Sequence, residues 1–166
     1  MSAPAGLEAQ ARAVLARCRE ARVRLALAEA CTGGLIAASL TEVPGASAVL
    51  ERALVPYSNE SKEELLGVPG ALMREHGAVS AEVARAMAEG LLARAPVALA
   101  LAETGIAGPG GGSPLKPVGL VFLALARRGG ASVVERHVFP GDRAAIRQAA
   151  AARGLALFLE GLAEKS

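Results

Sequence analysis

Apolar positions along this chain follow two rhythms. Leu7, Ala11, Val14, Leu15 and Cys18 recur at helical spacing, which predicts an amphipathic helix over residues 5–21. Residues 23–28 read as a strand, broken by Cys31-Thr32-Gly33-Gly34, and residues 35–40 begin a second helix. Pro44-Gly45 marks a turn, and residues 48–56 read as a second strand. Ser58 or Asn59 caps a short helix over 59–66, and residues 71–76 form another helical turn or two after Pro69-Gly70. Ser80 caps a longer helix over 81–94, with Val83, Met87 and Leu91 on its buried stripe. Residues 96–102 are continuously apolar and predict a central strand. A glycine-rich loop over 105–116 follows. Residues 118–126 and 132–139 then form a hairpin about Gly129-Gly130, and Asp142 caps a last helix over 143–162.

Helices between the early strands imply parallel crossovers, and the late hairpin implies an antiparallel member. The expected fold class is α/β: a three-layer α/β/α arrangement around a mixed, mostly parallel sheet of about five strands, with residues 1–166 as a single domain.

Composition narrows the function. Hydrophobic residues make up 52% of the chain and the net charge is only +2, which excludes a disordered chain. The small net charge and the scarcity of aromatics, three Phe and one Tyr, give no footprint for nucleic acid. No stretch is long and apolar enough to span a membrane, and the N-terminus lacks the apolar core of a signal peptide. Two cysteines make no disulfide framework, so a cytoplasmic location is expected. His76 and His137 show no metal-ligand spacing, so neither a metal nor a cofactor is expected. Base rates favour a homo-oligomer.

Rare residue types mark the candidate chemistry. Arg supplies 15 of the 18 basic residues, and Tyr57, Asn59 and Asp142 are the only residues of their types. Three polar clusters follow the first three strands, where ligands bind in such sheets. They are 29–34, with Cys31, Thr32, Gly33 and Gly34; 57–62, with Tyr57, Asn59 and Lys62; and 104–119, with Thr104, Gly105, Gly108, Gly111 and Lys116. The glycines let backbone N–H groups approach an anion, although the loop is neither a Walker A sequence nor a dinucleotide fingerprint. Arg143 and Arg147, one helical turn apart, either clamp a phosphate or face water.

Lys62, near a helix N-terminus and Arg groups, is a candidate general base for a serine nucleophile, with Ser47 as that serine. Spacing does not bring the two together. Taken alone, Lys62 is ordinarily a solvated helix residue and Ser47 a turn or cap. Cys31 is the rival nucleophile, since it precedes a helix where a thiolate is stabilised; its bland reading is a small buried apolar residue.

Together the clusters resemble the C-terminal domain family of the competence-damage-inducible protein, whose members include nicotinamide mononucleotide amidohydrolases. The resemblance rests on residues 28–34, 57–62, 76–80, 104–112, 116–119 and 141–143, in matching order over roughly residues 7–160. It implies a three-layer α/β fold and hydrolysis of the carboxamide of nicotinamide mononucleotide to nicotinate mononucleotide and ammonia. It also implies a serine amidase with a lysine partner and no metal, with Ser47 and Lys62 in those roles and Tyr57 beside them. Longer members carry a further N-terminal domain acting on nucleotide diphosphates, and this chain looks like the stand-alone form. One position departs: Ala30 stands where the family usually has serine. Glu103, an acid at a sheet end, is also unusual. The departure at Ala30 raises an alternative, a non-catalytic nucleotide-binding module of the same fold.

Overall fold

A computed structural model of the protein describes residues 5–164. Helix α1 spans Ala5–Ala21, and the chain turns through Arg22, whose φ of 56° lies in the left-handed region, before β1, Leu25–Glu29. Helix α2, Leu35–Thr41, leads to a 3-10 turn at Ala46–Ala48 and then to β2, Leu50–Leu54. Helices α3 (Asn59–Leu66), α4 (Gly70–His76) and α5 (Ala81–Arg94) precede β3, Leu99–Gly105. Strands β4 (Leu120–Arg127) and β5 (Val133–Val138) and helix α6 (Arg143–Ala163) complete the order.

The sheet runs β2-β1-β3-β4-β5. β1 pairs in parallel with β2 and β3, while β4 is antiparallel to both of its neighbours. Four of the five strands therefore point the same way, as expected of a mixed, mostly parallel sheet.

The two faces are built from different residues. Leu25 and Leu27 of β1, Leu99 and Leu101 of β3, and Leu123 and Leu125 of β4 pack with α1, α2 and α6. Ala26, Ala28, Ala100, Ala102, Ala124 and Ala126 form the opposite face. That alanine surface lets α5 come close and seat Val83, Met87 and Leu91 against the strands, with Leu66 and Met73 of α3 and α4 beside them. Three layers follow from this alternation of large and small residues along each strand.

Several boundaries move from their sequence expectation. The first strand begins at Leu25, because the Val23 N–H still closes α1 on the Cys18 carbonyl. The second begins at Leu50, because residues 46–48 coil into the 3-10 turn. The third runs on through Glu103, Thr104 and Gly105, which pair with Leu123, Phe122 and Val121 of β4 instead of starting the glycine loop.

Candidate functional site

The carboxyl ends of β1, β2 and β3 lie at one edge of the sheet. At the end of β1 the Ala30 N–H donates to the Glu103 carbonyl of β3. Glu29 is buried and its carboxylate accepts from the Ile36 N–H at 2.8 Å and the Ala37 N–H at 2.9 Å, which are unpaired donors of the first turn of α2. Thr32 lies between Glu29 and Glu103, its hydroxyl 2.7 Å from Glu29 Oε1 and 2.8 Å from Glu103 Oε1. Burial raises both carboxyls, Glu103 to about 7, and backbone and hydroxyl donors oppose the rise in each.

The loop after β2 enters α3 through a capping box. Ser58 and Ser61 exchange side-chain and backbone hydrogen bonds, which fixes the first turn. Lys62 follows at once. Its residue is only 3% exposed, and its Nζ donates to the Tyr57 carbonyl at 3.1 Å. Burial lowers the proton affinity of this amine, while Glu60 and, once ionised, Glu103 pull it back up. Of the two influences expected on this amine, neighbouring arginine charge and removal from water, removal from water is the one that acts.

Beyond β3, the Thr104 hydroxyl donates to the Ala78 carbonyl at 2.9 Å. At the start of α6, Asp142 caps the helix through the Ala145 N–H. Arg143 then reaches back over the edge, donating to the Gly108 carbonyl at 2.7 Å and, at 3.5 Å, to the Tyr57 hydroxyl.

These pieces enclose a cleft of about 210 Å³. Ala30, Cys31, Lys62, Thr104, Gly105 and Arg143 line it, with Tyr57 and Asn59 on one side and Ala78, Val79 and Ala107 on the other. Two basic side chains, Lys62 and Arg143, face it and no carboxylate does, and the Arg143 guanidinium makes the cleft suit an anion.

The structure thus gathers seven of the sequence candidates: Tyr57, Asn59, Lys62, Cys31, Thr104, Gly105 and Arg143. Ser47 is a correction. It sits in the 3-10 turn before β2, at the end where Leu50 pairs with Leu25, whereas Lys62 follows the other end. A strand of this length separates the two by roughly 15 Å, so they form no dyad. Lys116 is a second correction: its Nζ donates to the His76 carbonyl in a separate groove. Thr32, Gly33 and Gly34 lie outside the cleft lining, Thr32 being buried beneath it. Gly108 contributes only the carbonyl that holds Arg143, and Gly111 belongs to an outer loop surface. Arg147 does not clamp a ligand with Arg143; it donates to the carbonyls of Cys31 and Thr32 and braces that loop.

Cys31 lines the cleft but is no ready nucleophile. Burial, reinforced by Glu103, pushes its thiol up to about 12, overcoming Arg147 and Arg143. The sequence reading missed Ala78, Val79 and Ala107, apolar residues with no chemical signature, as cleft walls. Among the described residues there is no group of three or more His, Cys, Asp or Glu placed to hold a metal, and no helix is long and apolar enough to cross a membrane.

Comparison with known proteins places this geometry. The profile of the CinA C-terminal domain matches residues 7–162. A CinA-like protein of Akkermansia muciniphila is 48% identical over 158 residues, which are 95% of this chain and 38% of that protein. A CinA-like protein of Geobacter sulfurreducens is 59% identical over 137 residues, 82% of this chain and 33% of that protein. The chain therefore spans about a third of the length of these relatives. Among solved structures, the crystal structure of competence/damage inducible protein CihA from Agrobacterium tumefaciens superimposes with a TM-score of 0.92 at 42% identity, covering 96% of each chain. A CinA superfamily protein from Klebsiella pneumoniae gives 0.91 at 32% identity, covering 95% of this chain and 98% of that one. This chain belongs to the CinA C-terminal domain family.

Proposed function

We propose that this domain binds a pyridine mononucleotide, nicotinamide mononucleotide being the form its family resemblance implies, and holds it without hydrolysing it. One observation carries the reading: the cleft keeps Lys62, Tyr57 and Arg143 but offers Ala30, a methyl group, where the family usually has serine. The remaining hydroxyls do not replace it. Thr104 gives its hydrogen to Ala78, and the Tyr57 hydroxyl lies by Arg143. Arg143 suits the phosphate, and the cleft beside Lys62 suits the ring.

Amide hydrolysis is the second reading, favoured by Lys62, whose lowered proton affinity is what a general base needs. With no serine beside it, the base would have to activate water. Calorimetry with nicotinamide mononucleotide, run beside an ammonia-release assay, separates the two. Heat without ammonia supports the binding module, ammonia above background supports hydrolysis, and the absence of heat sinks both.

Two variants test the placement. Arg143→Met is expected to weaken nucleotide affinity by roughly 10- to 100-fold, as loss of a charge-assisted phosphate contact should. Ser47→Ala is expected to leave affinity unchanged and stability within about 0.5 kcal/mol, since Ser47 is exposed and at the far end of the sheet. A tenfold loss of affinity in Ser47→Ala would restore the serine to the site.

A further inference from the structure

We propose that Lys62 is a covalent capture site for a phosphorylated aldehyde, its amine condensing with the carbonyl carbon to form a reversible imine. The proposal uses the same cleft and rests on the reading above only in taking Arg143 as the anion contact.

The observations are geometric first. The Lys62 amine is buried and opens onto a cleft of about 210 Å³. Among the described residues no carboxylate lies within 4.0 Å of it, and its hydrogen bond runs to the Tyr57 carbonyl. An ammonium carries three hydrogens to satisfy, a neutral amine two and a lone pair. With one carbonyl as its protein acceptor and no carboxylate beside it, the amine has little to hold the ammonium form, and burial lowers its proton affinity. Ala30, on the same cleft wall, brings no hydroxyl to compete for that lone pair. Lysines desolvated in this way are those that attack carbonyl groups.

The chemistry balances without an oxidant or reductant. The amine lone pair bonds to the aldehyde carbon, and a proton moves from nitrogen to oxygen to give a carbinolamine. The hydroxyl then leaves with a second proton as water, and the C=N bond forms. Arg143, which is in no ion pair among the described residues, remains on the cleft wall to hold the phosphate.

The chain contains only three lysines, Lys62, Lys116 and Lys165, so the test has internal controls. The intact protein is incubated with pyridoxal 5′-phosphate as probe, reduced with borohydride, digested and mapped by mass spectrometry. The expected result is an adduct on Lys62 at least about tenfold above that on Lys116 or Lys165, with pyridoxal lacking the phosphate labelling about tenfold less. Equal labelling of all three lysines, or an unlabelled Lys62, overturns the proposal. Arg143→Met should label equally with both probes, and a phosphate preference that survives it counts against the cleft as assigned. Excess nicotinamide mononucleotide should protect Lys62. Nucleotide heat without any Lys62 adduct overturns the imine and leaves the nucleotide reading standing; a selective adduct that the nucleotide fails to block supports the imine and removes that reading.

Discussion

Ala30→Ser is expected to convert this protein into an amidase, raising ammonia release from nicotinamide mononucleotide on the order of 10³-fold above the parent. The backbone that would carry the new hydroxyl is already fixed, since the Ala30 N–H is tied to the Glu103 carbonyl at the end of the sheet. The residue lines the cleft together with Lys62, and Ala to Ser adds a single oxygen to the side chain. Lys62 holds its proton weakly because it is buried, so it can accept the serine proton, and the hydroxyl then becomes a nucleophile toward the carboxamide carbon. Two companions make the result specific. Lys62→Met in the Ala30→Ser background should return ammonia release to the parent level. Ala30→Gly, which changes the space but adds no hydroxyl, should stay there. If Ala30→Ser binds the nucleotide as the parent does yet releases no ammonia, the position is not the missing nucleophile.

That prediction depends on a distinction spacing could not make. Ser47 and Lys62 are 15 positions apart in the chain, close enough to invite pairing, but β2 runs between them and carries the chain across the full width of the sheet. Ala30 and Lys62 are twice as far apart in sequence, yet both lie past the carboxyl ends of adjacent parallel strands. The rule that ligands gather at those ends pointed to this edge: Ala30, Cys31, Tyr57, Asn59, Lys62, Thr104 and Gly105 all line the cleft. Caps were equally legible, because Ser58, Ser80 and Asp142 each precede a helical pattern and each accepts the expected backbone N–H. Glycine content misled. Gly108 takes a positive φ of 79°, and a Cβ there would run into Val118, so the bend of the loop alone accounts for a glycine at this position. Lys116 misled similarly, because a carbonyl 40 residues away, that of His76, takes its amine. A backbone acceptor contributed by another element leaves no mark in local sequence.

Glu103 should make stability fall between about pH 4.5 and 7, and Glu103→Gln is expected to remove that contribution. Thr32 has one hydroxyl hydrogen but two carboxylate oxygens within 2.8 Å of its Oγ1. Two such short contacts need a second hydrogen, which a neutral carboxylic acid supplies. Glu29 is held toward its charged form by the N–H groups of Ile36 and Ala37 at the start of α2. Glu103 has only the Thr32 N–H and hydroxyl on one oxygen, and its Oε2 is buried without a partner. The proton therefore resides on Glu103, consistent with its rise from 4.5 to about 7 through burial and, more weakly, the Glu29 charge. A carboxyl raised on folding binds more protons in the native than in the unfolded chain between those two values. Stability is then greatest below about pH 4.5 as far as this group is concerned, falls as pH rises to about 7, and levels off, with an amplitude of about 3 kcal/mol. Glutamine keeps the neutral shape, its oxygen accepting from the Thr32 N–H and hydroxyl and its NH2 taking the buried place of Oε2, but carries no proton to lose. Denaturant unfolding of both proteins should therefore show the parent losing about 3 kcal/mol relative to Glu103→Gln between pH 5 and pH 8, on top of a constant offset from the amide. Parallel stability curves for the two across that range would place the proton elsewhere in the Glu29–Thr32–Glu103 cluster.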